Sequence, residues 1–189
     1  MDRKLISRLE QLQLSASRKV RKCSFPGCTE RTVKNHCVSQ ALIGSFSEEG
    51  HVRTLIVNPW IAGGLAFRRT GVRDVSTFHG LCNEHDHTIF NPVDTASMET
   101  RNYRNQLLLS YRALLDEKLK KTNKREAYSM FHQEYKHSFN PGVELAKRHS
   151  EQFQYNLISV GWYEEQLLNE IASPKGKFIL RFLNFLISG

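Results

Sequence analysis

Apolar positions recur with helical spacing at the two ends of the chain and with strand-like continuity between them. Leu5, Ile6, Leu9, Leu12 and Leu14 fall close to a 3.6-residue period, which predicts a short amphipathic helix over residues 2–13. Gln40 to Phe46 reads as a short helical turn. Val52 to Val57 is a β-prone run, and Asn58-Pro59-Trp60-Ile61-Ala62-Gly63-Gly64 reads as the turn or loop that ends it. From about residue 99 the helical period returns. Leu107, Leu108, Tyr111, Leu114, Leu115 and Leu119 follow the i, i+3, i+4, i+7 pattern, and Tyr128, Phe131 and Tyr135 predict a second helix. Asn140-Pro141-Gly142 breaks the chain, a third helix is expected from near Val143 past Phe153, and a last apolar helix from near Lys177. That final segment ends at Ser188-Gly189 with no polar cap, which fits either docking on the helical part or a longer natural chain. No internal repeat or low-complexity tract is visible. Trp60 and Trp162 are expected in the core.

A length of 189 residues suffices for one core, or for a small metal module plus a helical part. Apolar content of 40% with 24% charged residues is that of an ordinary globular chain. No apolar run approaches the roughly 18 residues needed to cross a bilayer, and Met1-Asp2-Arg3-Lys4 does not open a signal peptide. The expectation is a cytoplasmic protein with no membrane partner. The formal charge is +8 and the excess is clustered: Arg3, Lys4, Arg8, Arg18, Lys19, Arg21, Lys22, Arg31 and Lys34 face only three acids over the same stretch. Arg53, Arg68, Arg69 and Arg73 add to it. Such clustering favours phosphate contact, with Arg18, Lys19, Arg21, Lys22 and Lys34 as candidate nucleic-acid ligands. The alternative is a solvated basic surface.

The distinctive chemistry lies in two short-spaced ligand pairs, Cys23-x4-Cys28 and Cys82-x2-His85. Four cysteines could make two disulfides, but cysteines beside histidines in a cytosolic chain favour metal. Pro26-Gly27 lets the first pair turn tightly, as in a zinc knuckle. The second pair has the spacing of a first helical turn, where the dipole helps hold a thiolate. Together they predict a tetrahedral structural Zn²⁺ site. Cys37 is expected to be a small buried thiol. His51, His132, His137 and His149 have no ligand-spaced neighbours and receive no role.

A knuckle pair, a hairpin bearing Asn35-His36, and the stretch Leu81-Cys82-Asn83-Glu84-His85-Asp86 together resemble the treble-clef HNH endonucleases that carry a structural zinc. The resemblance covers about residues 20–95. It implies an α+β fold, with a zinc-stabilised treble-clef (ββα-metal-like) module over 20–98. A basic N-terminal helix and segment (1–19) would precede it and a helical C-terminal region (99–189) would follow. It implies a metal-dependent endonuclease hydrolysing phosphodiesters, on DNA in preference to RNA, in a bacterial conflict or phage-defence setting. His36 would be the general base, Asp86 a ligand to a catalytic Mg²⁺ or Mn²⁺, and His87 or His79 would supply a second ligand or orient the water. The chain departs from the family in having His85 for a zinc cysteine, Asp86 for the final histidine and Asn35 for the frequent aspartate. Thr77 and Phe78 stand where the middle asparagine would lie. The same stretch is similar to uncharacterised bacterial proteins with a Thr-Phe…Cys-x-x-His-Asp segment followed by a Tyr-Arg helix, here Tyr111-Arg112. Two local alternatives stay open: His36 could replace Cys28 or His85 in the tetrahedron, and Asp86 could be a helix-start residue bonded to backbone N–H groups. The rival function is a non-catalytic zinc module binding nucleic acid or protein. A third is a helical interaction protein with incidental zinc. In the nuclease reading the helical C-terminal region would serve regulation, a homodimer or a protein partner.

Overall fold

The computed structural model describes residues 3–57, 64–95 and 97–175. In chain order it contains α1 (Arg3–Ser17), β1 (Asn35–His36), α2 (Gln40–Ser45), β2 (His51–Val57), β3 (Leu65–Gly71) and β4 (Thr77–Phe78). These are followed by α3 (Asn83–Phe90), a 3-10 turn (Asn91–Val93), α4 (Tyr103–Tyr135) and α5 (Pro141–Ala172). It is a mixed α/β chain with two small sheets and a helical C-terminal region. Residues 58–63 of the expected turn or loop, including Trp60, and the apolar segment expected from Lys177 lie outside the described residues.

The chain divides into two compact units. One runs from Lys22 to Leu109, and the other joins the residues up to Arg21 to those from Ser110 onward. The divisions thus fall at 21/22 and 109/110.

In the 22–109 unit, β1 and β4 pair antiparallel, with Asn35 opposite Phe78 and His36 opposite Thr77. Between them in sequence, β2 and β3 form a longer antiparallel hairpin, from His51 opposite Gly71 to Val57 opposite Leu65. Phe78, Leu81, Phe90, Val93, Leu107 and Leu108 are buried with Asn35, Thr32 and Ser39. Ser39 starts α2 by accepting the N–H of Leu42 at 3.4 Å.

The other unit is helical. Leu12, Ala127, Phe131, Val143 and Ala146 form its core, with Leu5, Leu9, Tyr128 and Tyr135 packed on them. Two carboxylates on α4 hold the N-terminal segment. Arg8 donates to Glu134 through Nε at 2.8 Å and Nη2 at 2.6 Å. Arg21 grips Glu126 with both Nη atoms at 2.8 Å and donates to Asn123 Oδ1 at 2.8 Å.

The pattern through Leu119 and the second helix expected with Tyr128, Phe131 and Tyr135 are one continuous helix. α4 is continuous because the stretch from Asp116 to Ala127 contains no proline or glycine. It is also laced by i, i+4 pairs in the favourable acid-before-base order: Asp116 with Lys120 at 2.6 Å, and Glu117 with Lys121. Thr122 Oγ1 donates to the Lys118 carbonyl at 2.8 Å, so its hydroxyl is satisfied within the helix. α5 starts two residues before Val143. The Asn140 side chain accepts the Gly142 N–H at 2.9 Å and Pro141 sits in the first turn, which tolerates its missing donor. Trp162 is not in the core. It is 51% exposed and shares an open face of α5 with Tyr155 and Ile158.

Candidate metal centre

Four elements of local chemistry bring the ligands together. Residues 22–31 form the knuckle. Lys22 and Arg31 bridge antiparallel, and the Cys23 N–H donates to the Glu30 carbonyl at 2.8 Å. Within it, the Cys28 N–H donates to the Phe25 carbonyl at 3.1 Å across Pro26 and Gly27. Gly27 has φ +79°. A type II turn needs a left-handed residue at its third position, here Gly27, and favours proline at its second, here Pro26. This turn aims both sulfurs to one side.

The second pair is placed by the buried Asn35. Its Oδ1 accepts the N–H of Gly80 at 3.0 Å and of Leu81 at 2.8 Å. The Val33 N–H donates to the Leu81 carbonyl at 2.9 Å, and the Ser24 N–H to the Gly80 carbonyl at 2.9 Å. The segment leading into α3 is thereby tied to β1 and to the knuckle at once. Gly80 has no room for a side chain: a Cβ there would lie 2.3 Å from the Phe78 ring. Cys82 then caps α3, and the Asp86 N–H donates to its carbonyl at 3.0 Å.

The ligand atoms of Cys23, Cys28, Cys82 and His85 all lie within 4.8 Å of one another. Cys28 Sγ is 3.9 Å from Cys82 Sγ, Cys23 Sγ is 3.7 Å from His85 Nδ1, and Cys82 Sγ is 3.1 Å from His85 Nδ1. Zinc bonds of about 2.3 Å to sulfur and 2.0 Å to nitrogen give tetrahedral edges of about 3.8 Å (S···S) and 3.5 Å (S···N). The set therefore matches a closed four-ligand site and can hold a metal ion such as zinc. The imidazole presents Nδ1 to the sulfurs, and its other face stacks on Phe25, with ring centroids 4.1 Å apart.

The thiols are not electrostatically alike. Burial pushes the Cys23 thiol up. Burial also opposes ionisation of Cys82, but the His85 N–H and imidazole, with the neighbouring thiols, outweigh it and hold Cys82 at about 7. A thiol already lowered to neutrality suits a metal ligand.

His36 is outside this group, so it does not replace Cys28 or His85 in the tetrahedron. It is half-buried on β1, and its Nε2 is buried with no hydrogen-bond partner; the same holds for Nδ1 of His79. Asp86 is half-buried on α3 and His87 is exposed. Among the described residues, no second set of three His, Cys, Asp or Glu ligands comes this close, so His36, Asp86 and His87 do not form one. Cys37 is half-buried rather than buried. Of the candidate phosphate ligands, Arg21 is committed to Glu126, and Lys19 reaches the same carboxylate at 3.4 Å. Lys34 pairs with Asp74 at 2.5 Å. Arg18 and Lys22 are exposed. Phe25 and the bracing role of Asn35 carry no spacing signature and emerge only in three dimensions.

No family model, curated protein or solved structure matches the chain. No helix among the described residues is long and apolar enough to cross a membrane.

Proposed function

We propose that residues 22–109 form a zinc-organised treble clef of HNH type that hydrolyses DNA phosphodiesters, with His36 as general base. The observation that carries this reading is the His36 Nε2, buried without a hydrogen-bond partner beside the strand that leads to Cys82. An unsatisfied buried nitrogen costs stability, and a base awaiting the proton of an attacking water is a physical reason to keep one. The order of knuckle, β1/β4 antiparallel pair and α3 supports the treble clef. Three thiolates and one imidazole would leave zinc no open position, so its part is to hold the frame. His36 would take a proton from water as the oxygen bonds to phosphorus and the P–O bond to the leaving strand breaks. The residues nominated for Mg²⁺ or Mn²⁺, Asp86 and His87, are not gathered into a ligand set, so no step is assigned to such an ion. The setting we favour is bacterial defence against foreign DNA.

A second reading, a non-catalytic zinc module that binds nucleic acid, is favoured by Asn35. The residue beside the proposed base is 1% exposed and turned into the fold, where it braces Gly80 and Leu81.

Elemental analysis with a plasmid-cleavage assay in Mg²⁺ or Mn²⁺ separates the two. The expected result is one zinc per chain in wild type and His36→Ala, with cleavage about 10²-fold or more slower in the variant. A wild type that holds zinc but cuts neither the plasmid nor a single-stranded DNA circle ends the catalytic reading. Loss of zinc from His36→Ala removes the base.

A further inference from the structure

The β2–β3 hairpin contributes no ligand to the candidate metal centre, and its outer face has no role in the chemistry above. We infer that this face binds single-stranded nucleic acid, with phosphates on Arg53 and Arg69 and a base stacked on Phe67. The inference rests on the chain acting on nucleic acid, and it makes unpaired strand the substrate class.

The register defines the face. Arg53 lies opposite Arg69 and Leu55 opposite Phe67, and Leu65 lies two residues before Phe67. Alternation along a strand puts these side chains on one side of the ribbon. On the other side Arg68 is exposed, but Val52, Thr54, Ile56, Ala66 and Thr70 are half-buried, and Thr54 and Thr70 share a hydrogen bond at 2.7 Å. The outer face is the open one: Leu55 is 57%, Leu65 54% and Phe67 72% exposed.

Two features of this face are unfavourable unless something covers it. Like charges directly across a ladder destabilise the pair, yet Arg53 and Arg69 are direct partners. Neither strand carries an acid. Glu49 offers Arg69 one exposed carboxylate at 2.8 Å, a contact worth little in water. The Arg53 side chain has no hydrogen bond or ion pair among the described residues. The next step along the same face is an exposed aromatic against an exposed leucine. Cations and an open aromatic ring one same-face step apart, about 6.8 Å, match the alternation of phosphate and base along a nucleic-acid strand. A two-stranded ribbon can also enter a duplex major groove, but paired bases offer Phe67 only their edges. An unpaired base offers its full face.

The test is fluorescence anisotropy on the full-length, zinc-loaded His36→Ala protein, so that no strand is cut. The probes are a labelled oligothymidylate and the same strand annealed to its complement. The single strand should bind tighter than the duplex. Phe67→Ala should weaken it about five- to 150-fold, Phe67→Trp should keep it, and Phe67→Leu should not. Replacing both Arg53 and Arg69 by Ala should lower the salt slope by about 1.4, the release expected from two single-strand phosphates. Zinc content and circular dichroism check the fold of each variant. Phe67→Ala binding like its parent, or Phe67→Leu matching Phe67→Trp, overturns the inference, as does equal affinity for the duplex. Strand binding through the hairpin by a wild type that cuts nothing sinks only the nuclease reading. Cleavage with hairpin variants that bind normally sinks only this one.

Discussion

Replacing Asn35 by Ala removes the brace between β1 and the α3 segment, and its cost can be worked from the contacts. The side chain is 1% exposed, and its Oδ1 serves two backbone donors, Gly80 and Leu81. Neither N–H gains another acceptor on truncation. A buried donor left unsatisfied costs about 1–3 kcal/mol, so the pair amounts to about 2–6 kcal/mol before any cavity term. A unit of this size holds roughly 5–10 kcal/mol in all. Asn35→Ala should therefore bring residues 22–109 near the edge of folding unless metal is bound. Asn35→Asp keeps an acceptor for both amides and should lose less. The assay is urea unfolding of zinc-loaded protein, with hydrogen exchange read on the peptide spanning Phe78 to Cys82. Faster exchange at Gly80 and Leu81 should accompany the drop in midpoint. An Asn35→Ala midpoint within about 0.5 kcal/mol of wild type, with both amides still protected, would refute the bracing role.

Gly80→Ala should be nearly as damaging, because the new Cβ meets the Phe78 ring at 2.3 Å and that ring is only 4% exposed. Overpacking of this kind costs about 1–3 kcal/mol or more, and an unchanged unfolding midpoint would count against it. In the helical unit, Glu126→Ala leaves the largely buried Arg21 without its carboxylate, at about 1–3 kcal/mol. The Arg21 guanidinium, against a smaller opposing effect of burial, holds the Glu126 carboxyl below the usual range. The lowered folded value means the stabilisation is full above about pH 4.3, the ordinary glutamate value. It is lost as pH falls through the folded value. The stability gap between wild type and Glu126→Ala should thus close only in acid below that point. A gap that stays constant through acid would show that the ion pair is not its source.

The clustering of Cys23, Cys28, Cys82 and His85 was legible because its signals are local: two short spacings, and a Pro26-Gly27 pair whose backbone preferences favour the turn. α2 and β2 were legible for the same reason, each declaring itself within a few residues. What escaped is non-local. Asn35 looked like a weak substitute for a catalytic acid; its work as a brace depends on backbone amides 45 and 46 residues away. The Phe25 stack on His85 has no periodicity to reveal it. The division of α4 into two expected helices came from reading a charged, non-apolar stretch as a connection, when i, i+4 pairing can carry a helix through it. Arg21 stood out as one more cation in a basic run. Its partner lies 105 residues on, and no local pattern announces that.

Cys28 and Cys82 are 54 residues apart, and the whole β2–β3 hairpin lies between them. In polymer terms, a bound ion would be the knot of a loop whose interior is free to change. Closing entropy grows only with the logarithm of loop length, about 0.6 kcal/mol per doubling. The frame set by the knuckle, Asn35 and α3 would then tolerate hairpins of very different length and sequence. The hairpin would then be a replaceable cassette on a fixed clasp: its length and sequence could change while the way the frame is held together does not.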